Sequence, residues 1–177
     1  KCGHMLGRQV VDAEEMVNKI RAAAAARQDP DFLIIARTDA RTNHSVEEAI
    51  RRARLYEQAG ADIIFVESLE SVEEMRMVNE AIAKPTIANM VETGRTPLLT
   101  AAQLQEIGYD MVVFPISTLF VAAKAVYDML MDLRANGTTR NCLDEMMSFS
   151  QFNDFIGLPL VRELEENRFD SVAKKLR

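Results

Sequence analysis

The sequence has few of the residues that mark several classes of protein. Its 177 residues include two cysteines, Cys2 and Cys142, two histidines and no tryptophan. Two cysteines cannot form the disulfide framework of a small secreted domain, and no histidine and cysteine cluster has the spacing of a zinc site. No apolar run approaches the roughly 20 residues that a membrane span requires. These absences argue against a zinc module and a membrane-spanning protein, and they favour the reducing cytoplasm.

Basic residues are also too few to form a surface for nucleic acid. Lysine and arginine number 21 against 27 aspartates and glutamates, which gives a net charge of -6, and the two signs are interspersed along the chain. A phosphate backbone needs a contiguous basic surface. No G-x-G-x-x-G or G-x-x-x-x-G-K-[ST] motif follows an apolar run, so the usual signal for a nucleotide is missing as well.

What the sequence does contain is a regular alternation of helices and strands. Strands are predicted at 32–37, 62–67, 86–89 and 110–114, and helices at 12–28, 45–59, 71–82, 100–107 and 117–135. Four capping boxes mark helix starts, at Asp12/Glu15, Ser45/Glu48, Ser71/Glu74 and Thr100/Gln103. A unit of helix, glycine and strand recurs at Gly60 and Gly108. Alternation of this kind predicts a parallel sheet.

The number of predicted strands bears on the domain organisation. Four strands cannot close a barrel. A barrel of eight strands usually takes about 250 residues, more than this chain has. We favour the carboxyl-terminal part of an α/β barrel over a small open sheet, with residues 1–135 supplying βα units 4 or 5 to 8. Because the chain begins at Lys1 rather than Met, we expect it to be the carboxyl-terminal part of a longer polypeptide.

Residues 136–177 are predicted to form a helical extension outside this repeat. Two amphipathic helices are expected there, near 142–152 and 154–167, with no strand between them. Their apolar side chains are too many for a free tail. They need a surface to cover, either on this subunit or on a neighbouring one.

Four apolar runs, each predicted as a strand and the first as a buried one, are followed by polar residues that could do chemistry, in Arg37-Thr38-Asp39, Glu67, Asn89, and Pro115-Ile116-Ser117. Because the carboxyl ends of parallel strands lie at one edge, where α/β enzymes place their sites, the pattern indicates an enzyme. A guanidinium suits a carboxylate or phosphate, a carboxylate can hold an arginine or a hydroxyl, and an amide both donates and accepts. Structural alternatives stay open: an ion pair of Arg37 with Asp39, a salt bridge at Glu67, and a bond from Asn89 to its own loop.

A further candidate stands at the first residues. Cys2 lies between Lys1 and the pair Gly3-His4, where a glycine and a neighbouring imidazole could expose the thiol and tune its proton affinity. Such a thiol can act as an acid or a nucleophile. The alternative is a small buried hydrophobic residue. His44, the second histidine, precedes the Ser45 cap and is expected to be a solvated loop residue.

At these residues the sequence resembles a known superfamily. The motifs, in order, are Lys1-Cys2-Gly3-His4, Ala36-Arg37-Thr38-Asp39-Ala40, Gly60-Ala61-Asp62, Phe65-Val66-Glu67, and Asn89-Met90-Val91-Glu92 with Thr96-Pro97. Together they are similar to those of the isocitrate lyase and phosphoenolpyruvate mutase superfamily, and most to its methylisocitrate lyase and 2,3-dimethylmalate lyase branch. The resemblance extends from residue 1 to about residue 170.

The resemblance implies a (β/α)8 TIM-type barrel and a carbon–carbon lyase. Its substrate would be a 2-hydroxy dicarboxylate of the 2,3-dimethylmalate or 2-methylisocitrate type, cleaved to pyruvate and a second carboxylic acid. Cys2 would be the general acid, and Gly3 and His4 would be flanking substrate contacts. The three strand-end residues, Arg37, Glu67 and Asn89, would surround the carboxylates and the hydroxyl of the substrate.

The resemblance also implies a metal ion and an assembly. Mg²⁺, with Mn²⁺ as an alternative, would be held by residues upstream of Lys1, because the metal ligands of the superfamily have no counterpart in this segment. The protein would be a homotetramer whose carboxyl-terminal helix is exchanged between paired subunits. The lysine-cysteine-glycine-histidine run favours lyases over phosphonate mutases.

Other functions remain open at this stage. On the same scaffold, an oxaloacetate hydrolase or decarboxylase, or an enzyme like carboxyphosphonoenolpyruvate phosphonomutase, would differ only in small pocket residues. A non-catalytic assembly subunit or an inactive fragment is the alternative of another class. The sequence upstream of Lys1 discriminates, because an acidic pair at a strand end and a further glutamate there would support the enzyme.

Overall fold

The computed structural model describes Gly7 and residues 9–175, with side chains as far as residue 168. The chain divides into two compact units, Lys1–Leu119 and Phe120–Arg177. This division falls inside the helix Ser117–Asn136. The sequence-based boundary between residues 135 and 136 stays a prediction.

Helices and strands alternate along the first unit. In chain order they are α1 (Ala13–Ala26), β1 (Ile35–Thr38), α2 (Ala40–Asn43), α3 (Val46–Ala59), β2 (Ile63–Val66), α4 (Val72–Ala81), β3 (Ile87–Asn89), α5 (Ala101–Ile107), β4 (Met111–Val113) and α6 (Ser117–Asn136), which runs into the second unit. A 3₁₀ helix at Arg140–Glu145, then α7 (Phe149–Phe155) and α8 (Leu158–Lys175), complete the second unit. Only the one-turn helix α2 was not predicted within the alternating part.

The four strands are parallel, as the alternation predicted. β1 pairs with β2, so that Ile35 lies opposite Ile63, and β3 pairs with β4, so that Asn89 lies opposite Val113. A single parallel bridge between Ile64 and Thr86 joins the two pairs. The carboxyl ends of all four strands therefore face the same edge.

Helices α1, α3, α4 and α5 provide the apolar side chains that pack against the strands. The core includes Ile20 of α1, Tyr56 of α3, Met75 and Val78 of α4, and Leu104 of α5, each at most 3% exposed. The residues of β1 alternate, with Ala36 and Thr38 buried and Ile35 half exposed.

The predicted strand at 32–37 is shorter in the structure, because β1 begins only at Ile35. The expectation that its first residues are buried is wrong: Phe32 and Leu33 precede β1 and are 68% and 56% exposed, since the described residues leave them uncovered.

Polar caps begin several of these helices. At Thr100 the full capping box forms with Gln103, as predicted. At Ser45 and Ser71 the hydroxyl accepts the N–H three residues later, but the glutamate there turns to an arginine instead of to the cap. The bond to an arginine joins two opposite charges, whereas the bond to the cap N–H would involve the charge of the carboxylate alone. Asp12 makes no side-chain cap bond, so that predicted box is wrong.

The repeated unit of helix, glycine and strand has a structural basis. Gly60 and Gly108 end α3 and α5 with φ of +108° and +115°, a region that side chains rarely adopt. A Cβ at Gly60 would also lie 3.0 Å from the Cβ of Ala24 on α1. Glycine is therefore required at Gly60 both by the backbone and by helix packing.

An aspartate two residues after each glycine ties the new strand to the one before it. Asp62 Oδ2 accepts the N–H of Ile34, and Asp110 Oδ2 accepts the N–H of Thr86, both at 2.9 Å. Asp62 also accepts from Arg27 Nη1 at 2.6 Å. The pKa of Asp62 is lowered, first by the Ile34 N–H and then by the charge of Arg27.

The second unit is helical and leaves many apolar side chains exposed. Val121, Phe149 and Phe155 are 71%, 84% and 74% exposed, and α6 has no buried residue. A capping box of Ser148 with Gln151, which was not predicted, begins α7. None of the described helices combines the length and apolarity needed to span a membrane.

We predict that Asp62→Asn lowers the free energy of unfolding by about 1 to 2 kcal/mol at pH 7, since a charge-assisted bond is lost at a partly exposed site. Because the folded-state pKa lies below the ordinary value of 3.8, the contribution of Asp62 is full above that value and disappears as the pH falls through the folded pKa. Urea unfolding monitored by circular dichroism from pH 7 to pH 3 measures both.

The matched control is Asp110→Asn, which removes a carboxylate that makes the same backbone bond without an arginine among the described residues. Its effect at pH 7 should be smaller. A loss for Asp62→Asn that is as large at pH 3 as at pH 7 would contradict the charge-based account.

Candidate active site at the carboxyl ends of the strands

Three of the strand-end residues chosen from the sequence meet at one point. Arg37 Nη2 lies 3.2 Å from Glu67 Oε2, and Asn89 Nδ2 donates to the same oxygen at 3.0 Å. The strands β1, β2 and β3 are neighbours, and their parallel arrangement brings together residues at or just beyond their carboxyl ends. The structure thus forms the cluster that the pattern predicted, whatever its function.

Glu67 is the buried centre of this cluster. It is 2% exposed, and its Oε1 accepts the Ser68 N–H at 2.8 Å and the Ser68 hydroxyl at 3.3 Å. A buried carboxylate is tolerated only when its oxygens are bonded and its charge is paired, and here both conditions hold. The carboxylate is fixed in one orientation.

Ser68 supports this orientation at a conformational cost. Its φ of +62° is left-handed, which a residue other than glycine adopts at a cost of about 1 to 3 kcal/mol. The two bonds from Ser68 to Glu67 offset that cost. The residue was not predicted from the sequence, because Ser-Leu after a strand carries no signal for a left-handed turn.

Arg37 is held on two sides and still reaches the surface. Its Nε and Nη2 donate to the two oxygens of Asp39 at 2.7 and 3.2 Å, and its guanidinium lies 5.0 Å from the centre of the Phe65 ring. The internal ion pair considered as an alternative therefore exists. Because the Arg37 side chain is 38% exposed, the guanidinium is also accessible to an anion from solvent.

Asn89 is oriented by Glu67 rather than by its own loop. Its Nδ2 donates to Glu67, while its Oδ1 is buried and accepts no bond from the described residues. A buried acceptor without a donor is costly and is rare in folded proteins. The geometry suits a hydroxyl or an N–H of a ligand, or an ordered water.

A cavity of about 600 Å³ borders the Arg37 side of the cluster. Its wall includes Arg37, Asp39 and Arg52, and also Gly7 and residues 9–11. Arg52 of α3 donates to the carbonyl of Val11 at 2.6 Å and so fixes this amino-terminal segment beside the cavity. Glu67 and Asn89 do not line this cavity; they line a separate small space of about 10 Å³, which has room for about one water molecule.

The loop after β3 adds a second carboxylate that the sequence analysis did not single out. Glu92 accepts a short bond from the hydroxyl of Ser117, the first residue of α6, and this bond is the main cause of its lowered pKa. Its other oxygen, Oε2, is buried and has no partner among the described residues. Thr93, with a φ of +60°, turns the loop there.

The remaining predicted site residues cannot be placed. Cys2, Gly3 and His4 lie outside the described residues. Within the part that is described, no group of three histidine, cysteine, aspartate or glutamate side chains could hold a metal ion. His44 ends α2 and is exposed, as expected for a loop residue.

Comparison with known proteins now gives the cluster a context. The profile of the phosphoenolpyruvate phosphomutase family matches residues 3–134. The chain belongs to this family. It is 52% identical to the 2,3-dimethylmalate lyase of Eubacterium barkeri over 94% of its own length and 58% of that protein. The chain therefore spans a little over half of the curated relative it matches.

Solved structures of the family superpose on the chain. A structure of oxaloacetate acetylhydrolase with the inhibitor 3,3-difluorooxalacetate gives a TM-score of 0.84 at 33% identity, over 95% of this chain and 57% of that one. A phosphonopyruvate hydrolase structure complexed with oxalate and Mg²⁺ gives 0.75 at 28% identity, over 93% and 60%. The family resemblance drawn from the motifs is confirmed.

We predict that Glu67→Ala lowers the free energy of unfolding by about 2 to 3 kcal/mol, because it leaves the Ser68 N–H and the Asn89 amide without their acceptor and Arg37 without one of its partners. Glu67→Gln keeps the shape and one acceptor, and it should cost less. Urea unfolding of both variants compares them. If Glu67→Gln proves as damaging as Glu67→Ala, the charge rather than the bonding pattern holds the cluster together.

Proposed function

We propose that this chain provides the substrate-binding edge of a carbon–carbon lyase. Its substrate would be a 2-hydroxy acid, either a dicarboxylate such as 2,3-dimethylmalate or a tricarboxylate such as 2-methylisocitrate, and its products pyruvate and a second carboxylic acid. The observation that supports this most directly is that an accessible guanidinium, Arg37, and a buried acceptor with no donor among the described residues, Asn89 Oδ1, are both held on the fixed carboxylate of Glu67. Similarity to the Eubacterium barkeri lyase supports the choice of substrate class.

The proposed chemistry is a retro-aldol cleavage. The hydroxyl of the substrate gives its proton to a base, a role that no described residue is assigned, and becomes the carbonyl of pyruvate, while the bond to the neighbouring carbon breaks. The electron pair of that bond passes into the second carboxylic acid as an enediolate, which then takes a proton on carbon. Each residue of the cluster has a task in this sequence.

Arg37 has the geometry to bind a carboxylate of the substrate. Its planar fork can form two parallel bonds to one carboxylate, and its fixed positive charge favours the negative charge that grows as the bond breaks. The partly exposed guanidinium and its anchoring by Asp39 support this role, because an anchored donor needs no reorganisation during the reaction.

Asn89, Glu67 and the amino-terminal residues complete the assignment. Asn89 Oδ1 is proposed to accept a hydrogen bond from the substrate hydroxyl, and Glu67 to hold Asn89 and Arg37 in place. Cys2 is proposed to donate the final proton, with Gly3 and His4 as flanking contacts. Gly7, which borders the cavity beside Arg37, follows His4 by only three residues, which supports their proximity to the site.

The reaction is proposed to require Mg²⁺, with Mn²⁺ as an alternative. A divalent ion supplies Lewis-acid stabilisation of negative charge on the substrate when bound. Since the described residues offer no group that could hold it, its ligands are proposed to lie elsewhere in the protein. The phosphonopyruvate hydrolase complexed with oxalate and Mg²⁺ supports this part of the proposal.

A homotetramer with exchanged carboxyl-terminal helices remains our proposal for the assembly. The exposure of Phe149 and Phe155 supports it, because side chains of this size are rarely left in contact with water in such density. An exchanged element would contribute to each of two interfaces by symmetry.

We predict that the complete gene product releases pyruvate from 2,3-dimethylmalate or 2-methylisocitrate and that a chelator abolishes the release. A coupled assay that reduces pyruvate to lactate follows the rate, and restoring Mg²⁺ should restore it. Full turnover by a metal-free enzyme would contradict the metal requirement. Failure to cleave either compound with Mg²⁺ present would contradict the proposed function.

We predict that Arg37→Lys lowers kcat/KM by about 5- to 150-fold, which corresponds to 1 to 3 kcal/mol, because an ammonium cannot make two parallel bonds to a carboxylate. Arg51→Lys is the control. Arg51 pairs with Glu48 on the exposed surface of α3, and its replacement should leave kcat/KM unchanged. Equal values for Arg37→Lys and the parent would confine Arg37 to a structural ion pair.

A further inference from the structure

A group of ion pairs lies next to the candidate site without belonging to it. Arg41, in the first turn of α2, donates through Nε to both oxygens of Glu74 at 2.9 Å, and its Nη2 lies 3.0 Å from Glu70 Oε2. We call Arg41, Glu70 and Glu74 the clamp. It joins α2, which follows β1, to the loop and the helix α4 that follow β2.

We propose that Arg41 is a positioning residue for Arg37, acting through Asp39. The inference rests on the proposed function, because it concerns how the substrate-binding guanidinium is aimed. Asp39 immediately precedes α2, and its carboxylate holds Nε and Nη2 of Arg37. Any movement of α2 therefore moves the carboxylate that orients Arg37.

Helix α2 cannot fix its own position. It has only four residues, and a single helical turn is unstable by itself because its nucleation costs more than one hydrogen bond returns. The Asp39 side chain makes no capping bond to it. Besides the burial of Ala40, the bidentate bond of Arg41 to Glu74 ties α2 to the rest of the protein.

The other end of the clamp is rigid. Glu74 lies in the first turn of α4, where its N–H is capped by the Ser71 hydroxyl at 3.1 Å and its Oε2 accepts the Glu70 N–H at 2.8 Å. Arg41 and Glu74 are 20% and 18% exposed, so solvent screens their pair less than it screens a surface pair. The first turn of α4 thus serves as the anchor for α2.

The ionisation of the pair agrees with this geometry. Burial opposes the charge of Glu74, but the bond from Arg41 and the Glu70 N–H outweigh burial and lower its pKa. The bond to Glu74 raises the pKa of Arg41. Both groups remain charged throughout the pH range in which an enzyme works.

The clamp connects the chain segment that carries Arg37 to the segment that carries Glu67. Asp39 and Arg37 precede Arg41 by two and four residues, and Glu67 precedes Glu70 by three. Arg37 and Glu67, whose side chains lie 3.2 Å apart, therefore belong to two chain segments that the clamp also connects. Since a shift of about 1 Å at a reacting group can cost about 100-fold in rate, such a connection matters for catalysis.

Kinetic measurements on variants of the full-length gene product test the proposal. Arg41→Met and Glu74→Gln should each lower kcat/KM by about 10- to 100-fold, and Arg41→Lys should recover part of the loss. In the Arg37→Lys background, Arg41→Met should have less than about a threefold further effect, because both act through one guanidinium. Effects that multiply in the double variant would overturn the proposal. Arg51→Met, which removes an ion pair on α3, is the control expected to keep the parental kcat/KM.

A crystal structure of the Glu74→Gln variant provides a test that does not depend on activity. The proposal expects α2 to shift and the bond of 2.7 Å between Arg37 Nε and Asp39 Oδ1 to lengthen or break. An unchanged Arg37 in that variant would overturn it. If the shift occurs but the parent protein has no lyase activity, the clamp stands and the proposed function fails, so the two failures are distinguishable.

Discussion

The carboxylate of Glu67 is buried at the edge where the parallel strands end, and the polar groups of the candidate site surround it. A buried charge of this kind must be paired and bonded. Arg37 and Asn89 satisfy one oxygen, while Ser68 satisfies the other and adopts a left-handed backbone to do so. Residues at or just beyond the carboxyl ends of three strands thus satisfy this requirement together.

The surrounding fold keeps those strand ends together. Parallel pairing sets the register of β1 with β2 and of β3 with β4, and the aspartates Asp62 and Asp110 repeat one device by which each strand is tied to the preceding one. These aspartates lie at the amino ends of the strands. At the carboxyl ends, the clamp of Arg41, Glu70 and Glu74 joins α2, which follows β1, to the loop and helix that follow β2. The site is thus supported at both ends of the strands.

Much of this arrangement could be predicted from the sequence, because it follows from periodicity. Regular alternation of helices and strands predicts parallel strands, and parallel strands bring Arg37, Glu67 and Asn89 to one edge. The exposure of Phe32 and Leu33 could not be predicted, since a continuous apolar run does not reveal which face is covered. The pairing of Arg41 with Glu74, 33 residues apart, was equally hidden, because a capping glutamate can serve its own helix or a distant arginine. Cys2, Gly3 and His4 stay predictions.

The most direct measurement is a crystal structure of the complete gene product with oxalate and Mg²⁺, the pair present in the phosphonopyruvate hydrolase neighbour. The account predicts a carboxylate of oxalate within hydrogen-bond distance of the Arg37 guanidinium, with the bonds of Glu67 to Ser68 and Asn89 retained. Oxalate bound away from Arg37, with the guanidinium still turned entirely to Asp39 and Glu67, would contradict it.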